Sequence, residues 1–184
     1  MTPWSPLDGI PEDIAARAAR VRLACFDVDG VMTDSGLYYS DRGHESKRFN
    51  VMDGLGLKML VESGIHVAVI TARDTPAVAK RMSDLGIRHV FAGVPDKRAC
   101  MLTLAAELGL GIEDVAHVGD DLPDLGLLDT VGLAIAVANA HPLIADIAHW
   151  RTARCGGNGA VREVCELLLA AQGRLDAAID RFRA

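Results

Sequence analysis

The chain has few aromatic residues and no excess of positive charge, and each shortage narrows what it can be. Only 4% of its 184 residues are Phe, Trp or Tyr, although 50% are hydrophobic. The apolar content is therefore mainly Val, Ile, Leu and Ala, the usage of strands covered on both faces by helices. A formal net charge of -6 offers nothing to a nucleic-acid backbone, so no nucleic-acid partner is expected. No segment approaches the roughly eighteen apolar residues needed to cross a bilayer, and the stretch Met1 to Leu23 has no apolar signal core. Neither a membrane partner nor secretion is expected, and the expected location is cytoplasmic. The four cysteines, Cys25, Cys100, Cys155 and Cys165, form no C-x-x-C pair, which fits a reducing compartment. Neither Cys25 nor Cys155 opens a C-x₅-R signature, so thiol-based phosphatase chemistry has no support. The six histidines show no metal-ligand spacing and receive no role.

What is present is an alternation. After a first helix in PEDIAARAAR, the short apolar runs LACFDVDG, HVAVITAR, HVFAG, VAHVGDD and GLAIAVA read as strands. Between them lie the helical patterns DGLGLKMLVES, TPAVAKRMSDLG, DKRACMLTLAAELG and the shorter LPDLGLLDT. The spacing predicts right-handed crossovers and an α/β fold with a parallel sheet flanked by helices. The length predicts one domain over residues 1–184. A last helix and tail run over about residues 159–184, interrupted near Gly173. Residues 31–50 break the alternation directly after the first strand and read as a β-hairpin flap. About twenty residues there, and one helix plus one strand between Arg73 and Lys97, leave no room for a cap domain.

In such sheets ligands collect outside the carboxyl ends of the strands. The first strand ends in Asp27-Val28-Asp29-Gly30, the second in Thr71-Ala72-Arg73, and the fourth in Gly119-Asp120-Asp121, with Asp124 close behind. Lys97 opens the helix after the third. Carboxylates gathered this closely repel by about 4 kcal/mol per pair at 4 Å and an effective dielectric near 20, so a cation must join them. Lys97 supplies one charge, and an all-oxygen set without His or Cys suits Mg²⁺ rather than zinc.

Asp27 then reads as a nucleophile towards phosphorus, and Asp29 as the acid that protonates the leaving alcohol and the base that later activates water. The turn amides of Asp29, Gly30 and Val31, with Thr71 and Lys97, would hold the phosphoryl oxygens. Asp120 would complete the metal site, and Asp121 or Asp124 would orient Lys97 or metal-bound water. Taken singly, each feature has a plainer account: D-x-D-G is a common turn, Thr71 could cap a strand, and Lys97 could be a solvated helix residue. It is their joint occurrence, in order and at strand ends, that carries the reading. The Gly156-Gly157-Asn158-Gly159 cluster is open between a helix-leading turn and a place near a subunit interface.

The motifs FDVDGVMTD, ITAR, Lys97 and VGDDLPD resemble the haloacid dehalogenase superfamily. More narrowly, GLYYSDRGHESKRFNVMDGLGLKML, DLPDLGLL and GGNGAVREVCELLLAAQGRLDAA look like the 3-deoxy-D-manno-octulosonate 8-phosphate (KDO 8-phosphate) phosphatases, from about Val21 nearly to the end. The resemblance implies a capless, Rossmann-like, Mg²⁺-dependent cytoplasmic homotetramer that hydrolyses a small phosphorylated sugar acid on the path to lipopolysaccharide. It implies Asp27 as nucleophile, Asp29 as acid/base, Thr71 and Lys97 as phosphate clamps, and the Asp27 and Asp120 side chains and the Asp29 carbonyl as metal ligands. Gly30, Thr33, Ala72 and Arg73 would lie beside the substrate, Arg73 facing its carboxylate. In an uncovered site the flap or the C-terminal tail of a neighbouring subunit would provide closure.

Ala72 stands where relatives often carry Gly, Met52 where they are often basic, and Asn158 where they often have Arg. These departures leave open a nine-carbon sugar acid phosphate or another small sugar phosphate, though Arg73 favours the octulosonate. A dehalogenase would not need Asp29, because a halide leaves without a proton. A phosphomutase would need a lid. A non-catalytic oligomerisation module would show eroded motifs, and all of them are intact here.

Overall fold

Eight α-helices and eight β-strands build the described part of the structure, a computed structural model that describes residues 5–183; residues 1–4 and 184 of the expected domain lie outside the described residues. Helix α1 (Glu12–Arg20) carries acids in its first turn and arginines in its last, matching the helix dipole. It leads into β1 (Leu23–Phe26), whose four residues are all buried. Two very short strands follow, β2 (Tyr38–Tyr39) and β3 (Glu45–Ser46), paired antiparallel. Then come α2 (Val51–Glu62), β4 (His66–Ile70), α3 (Pro76–Leu85), β5 (His89–Phe91), α4 (Lys97–Glu107) and β6 (Val115–Gly119). A 3₁₀ turn (Leu122–Asp124) leads to α5 (Leu125–Leu128) and β7 (Leu133–Ala136). The expected LPDLGLLDT helix is thus split, with Pro123 in the 3₁₀ turn. Helix α6 (Pro142–Ile147) and the edge strand β8 (Trp150–Arg151) were not expected; two residues cannot display a period. The chain ends in α7 (Ala160–Ala171) and α8 (Leu175–Asp180), broken at Gly173 (φ +64°).

The six strands of the main sheet lie in the order β5-β4-β1-β6-β7-β8, all in parallel register. Residues of alternate parity along each strand face opposite sides. Ala24, Phe26, Val67 and Val69 join one apolar cluster with residues of α1, α2, α3 and α7. Leu23, Cys25, Ala68 and Ile70 join the other, with residues of α4, α5 and α6. The all-parallel sheet, buried on both faces, is the Rossmann-like α/β arrangement that the apolar runs predict.

Strand order fixes where a ligand can sit. After β1 the chain builds outward through β4 and β5, then returns to the other side of β1 to place β6. The reversal opens a crevice between the carboxyl ends of β1 and β6. Phe26 is in register with Val118 and with Val69, so Asp27 emerges beside Gly119, and Thr71 beside Val28. Only β2 and β3 lie between β1 and α2, and only α3 and β5 between Arg73 and Lys97, so no further layer covers this edge.

Candidate active site

Lys97 is placed by helix α4, whose first residue it is and whose N-terminus is capped by the Asp96 side chain accepting from Ala99 N at 2.9 Å. The lysine is 5% exposed, and its Nζ lies 2.8 Å from both Asp27 Oδ1 and Asp124 Oδ1. Asp124 is fully engaged. The same Oδ1 is 3.0 Å from His117 Nε2, and Oδ2 accepts from the Asp120 amide at 3.2 Å. Gly119 makes this fit possible, since a Cβ there would come within 2.7 Å of the Asp124 side chain.

Three buried or half-buried carboxyls therefore face one ammonium. Burial, then the charge of Asp124, pushes the Asp27 carboxyl up to about 6 against the pull of Lys97. Burial, then the charges of Asp27, Asp124 and Asp121, pushes Asp120 up to about 7, and no hydrogen bond offsets it. Burial acts on Asp124 too, but its bond to His117 and the Lys97 ammonium outweigh that and hold it low. One oxygen from each of Asp27, Asp120 and Asp124 lies within 4.8 Å of the others. Because Asp124 is committed to Lys97, His117 and a backbone amide, Asp27 and Asp120 are the carboxylates with coordination to spare. Their excess negative charge and all-oxygen character fit a Mg²⁺ ion.

The loop after β1 is wound tightly. The amides of Val31, Met32 and Thr33 all reach Val28 O. Gly30 has φ +94°, and a Cβ on it would fall 1.8 Å from Asp120 Oδ2, so only glycine fits. The loop leans on the glycine cluster before α7: a Cβ on Gly156 would meet Gly30 O at 1.6 Å, and one on Gly157 would meet Thr33 C at 2.4 Å. That cluster is more than a helix-leading turn, because it braces the loop that carries Asp27 and Asp29.

Several expected contacts differ. Of the three turn amides expected to face a phosphate, Gly30 N donates to Thr33 Oγ1 and Val31 N to Val28 O, each at 3.3 Å. Both are spent inside the loop. Thr33, expected beside the substrate, is 1% exposed, and its hydroxyl bonds Gly30 N, Ser35 N and Val28 O. It is a brace. Asp121 does not reach Lys97; it is exposed and accepts from Leu122 N at 2.8 Å. Thr71 is 2% exposed at the end of β4, accepting from Arg73 N at 3.3 Å, and Ala72 is exposed beside it.

Asp29 points away from Asp27's partners. Its Oδ1 pairs with Lys47 Nζ, and its Oδ2 lies 3.8 Å from Arg73 Nε. Arg73 in turn pairs through Nη2 with Glu45, which also approaches Lys47 at 3.1 Å. Glu45 and Lys47 were read only as part of a charged hairpin tip. Their signal was parity: i and i+2 on a strand share a face. His117 had a signal as well, a polar residue in the middle of an apolar strand, and it is 0% exposed. A concavity of about 570 Å³ between Ser5, Trp150 and α7 contains none of the catalytic-edge residues.

Residues 90–163 match the haloacid dehalogenase-like hydrolase family. Over 169 residues, 92% of this chain and 90% of the relative, the chain is 46% identical to the 3-deoxy-D-manno-octulosonate 8-phosphate phosphatase KdsC of Escherichia coli. A hypothetical protein of Xanthomonas campestris superposes with a TM-score of 0.97 at 56% identity over 100% of both chains. The 3-deoxy-D-manno-octulosonate 8-phosphate phosphatase of Moraxella catarrhalis, solved with magnesium, phosphate and KDO, superposes with a TM-score of 0.90 at 42% identity, covering 92% of this chain and 98% of that one. With such identity sustained along nearly the whole length of curated relatives, and with Asp27, Lys97 and Asp120 gathered at the switch point of the sheet, this chain belongs to the 3-deoxy-D-manno-octulosonate 8-phosphate phosphatase family of the haloacid dehalogenase-like hydrolases.

Proposed function

We propose that this protein is a Mg²⁺-dependent phosphomonoesterase that hydrolyses KDO 8-phosphate to KDO and phosphate. The observation that carries it is the pairing of Asp27 with Lys97 beside an Asp120 that lacks a compensating partner. Mg²⁺ held by the Asp27 and Asp120 carboxylates and the Asp29 carbonyl would neutralise the substrate's phosphoryl oxygens and let a dianion approach the nucleophile.

In this reading Asp27 Oδ attacks phosphorus in line, forming the phospho-aspartate as the phosphorus–alkoxide bond breaks. Asp29 gives its proton to the departing alkoxide. Water then attacks the phospho-aspartate, Asp29 takes the water proton, and Asp27 is regenerated with release of phosphate. Lys97 and Thr71 hold the phosphoryl oxygens; Asp124, fixed by His117, keeps the Lys97 ammonium aimed at Asp27. Gly30 and Ala72 let the substrate come close to the backbone, and Arg73 faces the sugar acid's carboxylate.

The whole chain acts as one domain in this proposal, since both apolar clusters pack on faces of the same sheet. We further propose a cytoplasmic homotetramer in which the hairpin or the C-terminal segment of a neighbour closes each site. Support comes from a carboxyl edge over which the chain inserts no further layer and from the apolar surface of Leu37, Tyr38, Tyr39, Val51 and Met52, with Val51 81% exposed. Among the described residues no helix is long and apolar enough to cross a membrane. An active monomer by light scattering would refute the closure.

The deciding experiment compares phosphate release from KDO 8-phosphate, a nine-carbon sugar acid phosphate and simple sugar phosphates, with Mg²⁺ and with chelator. Strong preference for the octulosonate supports the assignment. Equal, poor turnover of all three would sink it while leaving the phosphatase mechanism standing.

A further inference from the structure

The ring formed by Asp29, Lys47, Glu45 and Arg73 is balanced in charge but not in hydrogen bonding. Lys47 has a side chain only 1% exposed and touches both acids, and Arg73 touches both from the other side. Three atoms of this ring are nonetheless buried without a hydrogen bond: Asp29 Oδ2, Arg73 Nε and Glu45 Oε1. Glu45 Oε1 is 3.1 Å from Lys47 Nζ yet off the hydrogen-bonding direction, and Arg73 Nε stops 3.8 Å short of Asp29. With Nε unpartnered, the guanidinium does not grip either carboxylate in two-pronged fashion. Buried polar atoms without partners are uncommon in folded proteins, and here three of them line one cation pair.

The carboxylate that occupies the ring comes from the hairpin. Glu45 lies on β3, one of two strands of only two residues each, tied to the rest of the chain by few main-chain bonds. It sits on the residue that the proposed function assigns to the substrate's carboxylate. We infer that Lys47 and Arg73 together form the carboxylate subsite, and that Glu45 is an internal carboxylate that fills it until the substrate's own carboxylate displaces it.

This inference rests on the proposed function. It makes Glu45 a determinant of specificity. A substrate that carries a carboxylate exchanges with Glu45 and gains both prongs of Arg73; a neutral sugar phosphate does not use the subsite, and what fills it leaves that substrate's turnover unchanged. The exchange keeps the cation pair neutralised when no substrate is bound, so Lys47 and Arg73 do not draw other anions to Asp29.

The test uses free KDO, which has the carboxylate but no phosphate, and two substrates, KDO 8-phosphate and glucose 6-phosphate. Glu45→Gln removes the internal competitor, so the inhibition constant of KDO should fall about tenfold if Glu45 occupies the subsite nine-tenths of the time. The ratio of kcat/KM on KDO 8-phosphate to that on glucose 6-phosphate should rise with it. Glu45→Asp, too short to span Lys47 and Arg73, should fall between; Lys47→Met should lose most of the discrimination. Calorimetry with KDO reads the same affinity without turnover, and circular dichroism checks the fold. If Glu45 is only a latch on the hairpin, both substrates will suffer alike and KDO will bind no tighter, which overturns the inference while wild-type preference for the sugar acid keeps the proposed function. If the wild type itself shows no such preference, the proposed function fails and the subsite with it.

Discussion

Replacing Asp120 by Asn should stabilise the metal-free protein at pH 8 and abolish its response to Mg²⁺. The Asp120 carboxyl is pushed up to about 7 by burial and by the charges of Asp27, Asp124 and Asp121. In the unfolded chain the same group loses its proton near pH 4. The raised value penalises the fold: the cost is absent below about pH 4, grows as pH rises, and is complete above about pH 7. Each pH unit between the two values is worth about 1.4 kcal/mol, some 4 kcal/mol in full, and a carboxyl partly in contact with water realises about half, or ~2 kcal/mol. Asparagine keeps the shape and removes the charge. For a chain of this size the gain corresponds to a rise in Tm of roughly 4–8 °C. Thermal unfolding in chelator at pH 8 should show it, and at pH 5 the gain should shrink to less than half. With Mg²⁺ present the order should reverse, because binding at a hundred times Kd adds about 2.7 kcal/mol to the wild type alone. An Asp120→Asn protein less stable than wild type in chelator at pH 8, or one equally stabilised by Mg²⁺, would refute the charge accounting.

Asp27→Asn should reduce phosphate release to background with an unchanged circular dichroism spectrum; substantial remaining turnover would remove Asp27 from the nucleophile's role. Gly156→Ala places a Cβ 1.6 Å from the carbonyl oxygen of Gly30, backbone that cannot step aside, so activity should be lost and urea stability should fall by about 3 kcal/mol or more. Gly126→Ala in α5 is the control: its Cβ would meet nothing nearer than Arg98 Cδ at 3.9 Å, and stability should hold or rise by up to about 1 kcal/mol. A thiol reagent should modify the exposed Cys155 first, whereas Cys25 and Cys165, buried and with their thiols pushed up by burial, should react only after unfolding.

The parts of the molecule that were legible in the sequence are those whose signal is local. Five apolar runs became the strands β1, β4, β5, β6 and β7, because short, mainly apolar runs with polar ends describe a strand covered on both faces. Asp27, Thr71, Lys97 and Asp120 stood out for the same reason, each fixed to the end of a strand or the start of a helix. Strand β8 and helix α6 were missed because they are too short for a period to repeat. The Gly156 brace was missed because the reason for glycine lies in another segment's backbone, 126 positions away, and nothing in the residues flanking it says so.

Thr33 and Asp29 show how a local reading can name the right loop without naming the partners its atoms take. The first was expected at the substrate because the family resemblance implies it, yet its hydroxyl bonds three backbone groups within its own turn. Asp29 was read as the acid/base with no side-chain partner named for it, and in the structure it lies against Lys47 and Arg73. A general acid must reach the leaving oxygen, and an Asp29 whose Oδ1 is paired with Lys47 is turned to another partner. In the proposed mechanism the ring loosens when the substrate arrives, so that Asp29 can turn from Lys47 towards the leaving oxygen. An incoming carboxylate that takes Arg73 from Glu45 would begin that loosening, which links recognition of the acid group at one end of the sugar to proton transfer at the other.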